Sequence, residues 1–454
     1  MYFLYSVLLT LGVVALLPRF IFDAVRHGKY VTGLGQRLGR LPPLETNGRP
    51  VVWLHCVSVG EAQAAHPLAR AILENFPSHT LVVSTTTLTG QRIARDIFRT
   101  QAAAVFYFPF DWGWTARRAL RAVNPAAVLI METELWPGFL RECRKRGVPV
   151  AIVNGRLSGR SFGRYRLIRR FIRRVVNDLE LAIMQTEADA ERVRALGLRP
   201  ERVRVSGNVK FDAEAPREQA LTAQLRQRFG IDAGRPLLVA ASTHAPEERI
   251  IIEALKLLRA MPGRDTARLL LAPRHPERFA EVASLLESSG LGWARRSERE
   301  AQTDAACEAI LLDSIGELRA VYPLASVVFV GGSIAPVGGH NILEPAAAGI
   351  CTVTGAHTMN FEAIVRVFLE AGALVQLAPV SEQQAPAALA SVLHELLSDE
   401  ARRHAIAAHA RAVLDENRGA TERTVKLLAP LFSSAAGQPD SGRPEGLRPG
   451  ALSA

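Results

Sequence analysis

The chain has 454 residues, of which 48% are hydrophobic and 22% are charged. This composition excludes an intrinsically disordered protein, and the length is too great for one ordinary core, so we expect two or three domains. The formal net charge of +11 favours an anionic partner, but it does not choose among nucleic acid, a membrane surface and a phosphorylated substrate.

The N-terminal segment 1–18 carries no charged residue and consists mainly of Leu, Val, Tyr and Phe. As a helix it would be about 27 Å long, which is close to the thickness of the hydrocarbon core of a bilayer. Basic residues follow it, namely Arg19, Arg26, Lys29, Arg37 and Arg40. By the positive-inside rule, this order predicts a membrane anchor over residues 1–22 and a cytoplasmic body. The alternatives are a buried N-terminal helix and a shallow interfacial one.

Short apolar runs alternate with helix-like stretches along the rest of the chain, a pattern typical of parallel sheets covered on both faces. In the first half we predict strands near residues 51–57, 81–87, 105–108, 128–131, 149–153, 181–184 and 203–206. In the second half we predict strands near residues 237–242, 268–272, 310–312, 327–330, 352–354 and 374–377. Two such series predict an α/β protein with two Rossmann-like domains.

We place the first domain at 30–212 and the second at 236–430. The stretch between them, 213–235, is polar and ends in a turn-like sequence, which indicates a linker. Residues 433–454 are rich in Gly, Pro, Ser and Ala and are expected to be disordered. Because ligands of open α/β sheets bind beyond the carboxyl ends of the strands, two facing domains would share one central cleft.

Glu61 follows the first predicted strand in the sequence Ser58-Val-Gly-Glu61. A carboxylate at this position is suited to take a proton from a substrate hydroxyl if its pKa is appropriate. The alternative interpretation is structural, since a Glu is favoured at the N-terminus of a helix.

Two carboxylates, Glu132 and Glu134, lie at the end of another predicted strand. Burying a carboxylate is costly unless it is paired, so we expect one of them to meet a cation. Arg156 and Lys210, which also follow strands, are the candidates. A purely structural network of ion pairs is an equally good interpretation of these residues.

The segment 161–176 has apolar residues at helical spacing, and seven arginines fall within 160–174. A basic amphipathic helix of this kind is suited to the surface of anionic lipid. The commoner alternative is a helix that packs on the core and leaves its basic face in solvent.

A glycine-rich stretch, 331–349, follows the strand near 327–330 and leads into a predicted helix that contains Glu344. Glycines allow a backbone to approach a phosphate, and the helix N-terminus beyond them offers unpaired N–H groups. Arg274 lies at the end of another strand, and its forked guanidinium matches phosphate oxygens. Together with the segment 315–317, these strand ends predict a nucleotide site.

The motifs that carry these features form an ordered set: SVGE (58–61), METELWP (131–137), NGRLS (154–158), GNVKFD (207–212), APRHPERF (272–279), DSIGEL (313–318) and GGHNILEP (338–345). In this set the chain resembles the 3-deoxy-D-manno-octulosonic acid (Kdo) transferases of Gram-negative bacteria, which are membrane-associated glycosyltransferases of the GT-B type. The resemblance extends from the N-terminal segment to about residue 430. It implies transfer of Kdo from CMP-Kdo to a lipid A precursor, with inversion, during synthesis of the lipopolysaccharide inner core.

The resemblance also implies roles for individual residues. Glu61 would be the general base, and Glu132 and Lys210 would stabilise the transition state. The positions that match the CMP-binding residues of the family are Pro273, Arg274, Ile315, Gly316, Glu317, Asn341, Ile342, Leu343 and Glu344.

No DxD-type metal motif, CxxC pair or zinc-type cluster is evident, so we expect neither a metal nor another cofactor. The expected partners are the donor, the acceptor and the cytoplasmic side of the inner membrane, and not nucleic acid. Residues 1–22 are the expected membrane contact, and the arginines of 160–174 are a second candidate. Two other functions remain open: a UDP-sugar transferase or epimerase on the same architecture, and a non-catalytic sugar-nucleotide or lipid-binding protein at the membrane.

Overall fold

A computed structural model describes residues 1–27, 32–212, 219–232 and 234–435. The chain divides into two compact units. The first unit comprises Met1–Asp212 and the C-terminal segment from Gly419, and the second comprises Ala213–Arg418. Each unit is built on its own parallel sheet of seven strands.

The first sheet has the strand order β3-β2-β1-β4-β5-β6-β7. Its strands are β1 (Val51–Cys56), β2 (Thr80–Thr85), β3 (Ala102–Tyr107), β4 (Pro125–Met131), β5 (Val150–Gly155), β6 (Leu181–Met184) and β7 (Val203–Val205). All six residues of β1 are buried, as expected for a central strand covered by helices on both faces. The helices of this part of the chain are α1 (Tyr2–His27), α2 (Leu34–Arg37), α3 (Val59–Asn75), α4 (Leu88–Ile97), α5 (Gly113–Val123), α6 (Pro137–Lys145), α7 (Gly159–Leu167), α8 (Arg169–Val176) and α9 (Glu187–Leu196), with 3₁₀ turns at Pro200–Arg202 and Val209–Asp212.

The second sheet has the order β10-β11-β9-β8-β12-β13-β14. Its strands are β8 (Leu237–Thr243), β9 (Arg268–Pro273), β10 (Trp293–Arg295), β11 (Ala309–Leu311), β12 (Val327–Val330), β13 (Thr352–Thr354) and β14 (Val375–Gln376). Its helices are α10 (Gln219–Arg228), α11 (Glu247–Arg259), α12 (Phe279–Glu287), α13 (Leu318–Val321), α14 (Leu343–Ala347), α15 (Glu362–Glu370), α16 (Ala385–Ser398) and α17 (Glu400–Asn417), with 3₁₀ turns at Pro276–Arg278, Asp304–Ala306 and Tyr322–Leu324. The last helix, α18 (Ala420–Ala435), belongs to the first unit.

The thirteen predicted strands are all present, and the predicted α/β class with two parallel sheets is confirmed. The prediction missed β10, a three-residue edge strand in which only Ala294 is buried. Such a short strand carries too little apolar sequence to stand out from the loops around it.

The predicted domain boundaries differ from those in the structure. The stretch 213–235 is not simply a linker, because it contains α10, whose Leu225 is buried and whose Thr222 hydroxyl donates to the carbonyl of Ala320 at 2.8 Å. The second unit therefore begins earlier than residue 236. Residues 213–218 and 233 lie outside the described residues.

The second unit also ends earlier than predicted, at 418 rather than 430. The chain returns to the first unit, where Val425, Leu428 and Phe432 of α18 join its core. The carboxylate of Asp212 accepts the N–H groups of Gly419 and Thr421, both at 2.6 Å, and so caps this returning helix. Of the predicted tail 433–454, residues 433–435 continue α18, and the remainder lies outside the described residues.

The N-terminal segment forms α1 and packs on the first unit. The hydroxyl of Tyr2 donates to Asp178, that of Tyr5 donates to Asp111 Oδ2 at 2.7 Å, and both rings contact Phe171 of α8. Within the described ranges, no helix is both long and apolar enough to cross a membrane. The basic segment 161–176 is divided between α7 and α8, which meet at Ile168.

Candidate active site

Glu61 lies in the first turn of α3, where Ser58 is the N-cap residue. Its carboxylate accepts the N–H of Val57 at 2.7 Å and the hydroxyl of Ser58 at 3.0 Å. The N–H of Glu61 is in turn directed at the Ser58 oxygen, so Ser58 caps the helix and the Glu61 side chain bonds back to the residues just before it. Glu61 therefore has the structural role considered above. Its carboxylate still has lone pairs that can accept a hydrogen bond from a substrate.

Burial raises the pKa of the Glu61 carboxyl to about 7, because only 7% of the residue is exposed. The hydrogen bond from Val57 lowers the pKa, and the charges of Glu132 and Glu134 raise it further. A carboxyl group with this pKa exchanges protons readily near neutral pH, which is the property that a general base needs.

Glu132 leaves the end of β4, and its carboxylate lies 3.2 Å from the Lys210 ammonium. The prediction that a carboxylate here meets a cation is confirmed for this pair. The other candidate, Arg156, forms no ion pair with any residue that the structure describes. Burial and the charge of Glu132 raise the pKa of Glu134, and both carboxylates act in the same way on Glu61, so three carboxylates interact at this end of the sheet.

The backbone at this point adopts unusual conformations. Met131 pairs with Val153, so Glu132 and Asn154 lie side by side at the ends of β4 and β5, with φ values of 55° and 54°. The left-handed region is disfavoured for Glu, whereas Asn tolerates it better than most residues, and such conformations are concentrated at functional sites. The Asn154 carboxamide oxygen accepts the N–H of Val209 at 3.1 Å, which holds the turn that carries Lys210.

The glycine-rich loop after β12 is organised differently from the prediction. The carboxylate of Glu247, which is fully buried, accepts the N–H groups of residues 332–335 at 2.7–3.2 Å and that of His244 at 3.0 Å. The backbone donors expected to hold a phosphate are therefore already bound to a carboxylate of the protein. At Gly331 a Cβ atom would lie 2.7 Å from the Thr243 backbone, so only glycine permits this approach.

The residues matched to CMP binding all lie in the second unit. Pro273 ends β9, and Arg274 follows it half-buried, with no side-chain partner among the described residues. Ile315, which is 81% exposed, and Gly316 lie in the loop after β11. Arg296 donates to Glu317 from Nε at 2.9 Å and from Nη2 at 3.0 Å.

The second group of matched residues surrounds the start of α14. Asn341 accepts the N–H of Leu343 at 3.0 Å through its side-chain oxygen, and Ile342 and Leu343 are buried. Glu344 lies in the first turn, as predicted, but it already accepts hydrogen bonds from Arg319 at 2.9 and 3.2 Å. Because α14 is only five residues long, it provides a weaker dipole than the predicted helix would.

Comparison with known proteins identifies the family. The family model described as 3-Deoxy-D-manno-octulosonic-acid transferase (kdotransferase) matches residues 32–213. A 3-deoxy-D-manno-octulosonic acid transferase of Haemophilus influenzae is 33% identical over 411 residues, which cover 90% of this chain and 93% of the relative. The chain belongs to this family. A transferase of the same name from Bordetella pertussis is 36% identical over 388 residues, covering 83% of this chain and 86% of the relative.

The family confirms the resemblance found in the sequence motifs and makes the protein a glycosyltransferase. Among solved structures, the UDP-GlcNAc 2-epimerase of Neisseria meningitidis bound to UDP-GlcNAc matches with a TM-score of 0.55 at 12% identity, covering 85% of this chain and all of the epimerase. At this identity the match shows the GT-B-type fold alone. It therefore gives no support to the epimerase alternative.

Sequence reasoning missed Glu247 in this transferase. A signal was available, because His244-Ala-Pro-Glu247 follows the first strand of the second sheet as Ser58-Val-Gly-Glu61 follows that of the first. In both sequences, the Glu side chain accepts backbone N–H groups at the end of the preceding strand.

We predict that Glu247→Gln destabilises the second unit by about 2–4 kcal/mol, because the amide group leaves buried backbone N–H groups without an acceptor. Urea unfolding followed by the fluorescence of Trp293, in a variant whose other tryptophans are replaced by Phe, measures this change. Glu253→Gln, on the exposed face of the same helix, is the matched control and should have little effect. Equal unfolding midpoints for the two variants would contradict the role assigned to Glu247.

Proposed function

We propose that this protein transfers Kdo from CMP-Kdo to a lipid A precursor, with inversion at the anomeric carbon, in the synthesis of the lipopolysaccharide inner core. Membership of the Kdo transferase family supports the donor and the transferred sugar. The observation that carries the mechanism is the buried Glu61 carboxyl with a pKa of about 7, beside the Glu132–Lys210 ion pair.

In the proposed reaction, Glu61 takes the proton of an acceptor hydroxyl. The hydroxyl oxygen then forms a bond to the anomeric carbon of Kdo, on the face opposite the phosphate. The bond between that carbon and the phosphate oxygen breaks, and its electron pair leaves with CMP. Attack on the opposite face inverts the configuration.

Glu132 and Lys210 would stabilise the charge that develops during this displacement. Positive charge accumulates on the sugar ring, where a carboxylate is favourable, and the ammonium of Lys210 holds the Glu132 carboxylate in its half-buried position. Because the ion pair forms before the substrate binds, little reorganisation is needed during the reaction.

The donor would be held by the second unit. Arg274 offers a guanidinium that no described residue engages, and guanidinium groups bind phosphate through paired N–H donors. The segments 315–317 and 341–344 would hold the cytidine and ribose. The proposed reaction requires Glu61 and the donor to meet.

We also propose that the protein binds the cytoplasmic surface of the inner membrane through α1. Tyr2 and Tyr5 attach this helix to the first unit, and an exposed apolar face remains. This face comprises Phe3, Leu4, Val7, Leu8, Leu11 and Val14, and Leu16 and Leu17 of the same helix are exposed as well. Exposed apolar side chains at this helical spacing support contact with lipid or another partner.

The neighbouring helices favour lipid. Phe171 of α8 contacts α1, and at the α7–α8 junction Leu167 and Ile168 are 85% and 52% exposed. The surrounding exposed residues are basic, namely Arg164, Arg166, Arg169, Arg170, Arg173 and Arg174. Apolar side chains beside arginines are suited to an anionic lipid surface, such as the one in which the acceptor would reside.

For the chemistry, we predict that Glu61→Gln lowers kcat by about 10³ while leaving the affinity for CMP unchanged, since the residues proposed to bind CMP belong to the other unit. In the wild type, the rate should rise with pH and level off above about 7, because the base must be deprotonated. Glu74→Gln, at an exposed position of the same helix, is the control. Transfer assays from pH 5.5 to 8.5 test both points, and a flat profile or an active E61Q enzyme would refute the assignment.

For the membrane, we predict that Leu8→Asp combined with Leu11→Asp weakens vesicle binding by roughly 100-fold. The reason is that each replaced leucine removes about 1.5 kcal/mol of binding free energy. Sedimentation with vesicles of phosphatidylglycerol and phosphatidylethanolamine measures the binding. The control is Leu257→Asp, at a partly exposed position of the second unit. Wild-type binding by the double variant, or an equal loss in the control, would rule out α1 as the contact surface.

A further inference from the structure

Two histidines that the mechanism does not use meet beside the proposed donor site. His244 follows β8, and His340 lies in the loop after β12, directly before Asn341. Their Nε2 atoms are 2.8 Å apart, and their rings stack at 5.0 Å with an interplanar angle of 8°. The backbone contacts of Glu247 fix both ends of this arrangement, because its carboxylate binds the N–H of His244 and the start of the loop that carries His340.

The bridging hydrogen bond determines what the pair presents to its surroundings. One Nε2 must donate and the other must accept, so in two neutral rings one Nδ1 carries a proton and the other has a free lone pair. Among the described residues, neither Nδ1 has a hydrogen-bond partner. Uptake of one proton would convert both Nδ1 atoms into N–H donors and give the pair a single positive charge.

The charges around the pair keep it neutral in the absence of a ligand. Burial, then the neighbouring His244, Arg274 and His275, lower the pKa of His340 to about 4. Burial is also the main cause that lowers the pKa of His244, and the charges of His275, Arg274 and Arg278 lower it further.

The carboxylate of Glu248 raises the pKa of His244, but Arg278 already binds this carboxylate at 2.6 Å. Glu247 is engaged by the backbone, and Glu277 lies 3.7 Å from the exposed His275. The charged groups that act on His340 are therefore all cationic or able to become so, and Arg274 among them has a guanidinium without a partner. An anion is the missing counter-charge at this position.

We propose that His244 and His340 form a second anion-binding element beside Arg274, and that the pair takes up one proton when the phosphate group of a cytidine nucleotide binds there. The proposal rests on the proposed CMP site and adds two phosphate-binding residues to it. It makes donor binding proton-coupled, since the protonated pair offers N–H donors and charge that the neutral pair lacks.

The test is titration calorimetry with CMP on the full chain between pH 5.5 and 7.5. His340→Gln preserves a hydrogen-bonding group at the Nε2 position toward His244 but cannot be protonated, and His340→Asn places its amide near Nδ1 instead. His404→Gln, at an exposed position of α17, is the matched control. Thermal unfolding of each variant confirms that it is folded.

We expect the ratio of wild-type to H340Q affinity to increase as the pH falls, approaching tenfold per pH unit where uptake of a full proton accompanies binding. The protonation of CMP itself cancels in this ratio. Comparison of two buffers with different ionisation enthalpies should show more proton uptake by the wild type than by H340Q or H340N, and H404Q should match the wild type.

A ratio that is independent of pH, with equal proton uptake by all variants, would overturn the role of the histidine pair and leave the donor assignment intact. Absence of CMP binding to the wild type at every pH would instead remove the donor assignment, and the present proposal with it. The two failures are therefore distinguishable.

Discussion

The carboxylate of Glu247 is the interaction on which the second unit depends at its functional end. It is fully buried and accepts five backbone N–H groups, which joins the end of β8 to the glycine-rich loop after β12. A buried carboxylate is tolerated only with such compensation. Once it is in place, the loop cannot rearrange without leaving several polar groups unpaired, so His340 and the residues after it are held before any ligand arrives.

In the proposed reaction, each unit has a separate role. In the first unit, Glu61, Glu132 and Lys210 follow the parallel strands β1, β4 and β7, and the backbone is left-handed at Glu132 and Asn154. In the second unit, Arg274 and the segments proposed to bind the nucleotide follow parallel strands in the same way. Because parallel strands bring all their carboxyl ends to one edge, residues far apart in the sequence converge without any long excursion of the chain.

Much of this arrangement was predictable from the sequence, because apolar runs identify buried strands and the residues directly after them identify the functional edge. An ion pair of Glu132 or Glu134 with Arg156 or Lys210 was predicted on that basis, since a carboxylate at the end of a buried strand needs a cation, and the structure pairs Glu132 with Lys210. The return of α18 was not predictable, because its contact with Asp212 joins residues 207 positions apart and its amphipathic pattern does not specify a partner. The binding of the Glu247 carboxylate to the glycine-rich loop was not predictable either. Glycines that allow a backbone to approach a phosphate also allow it to approach a carboxylate.

The central claim is that this chain transfers Kdo from a CMP-linked donor to a lipid A precursor. Mass spectrometry of the lipid formed by the purified protein, CMP-Kdo and the precursor tests it most directly. The account predicts a product heavier than the precursor by one or more Kdo residues, with one CMP released for each. An unchanged precursor, or a product formed only when a UDP-sugar replaces CMP-Kdo, would contradict it.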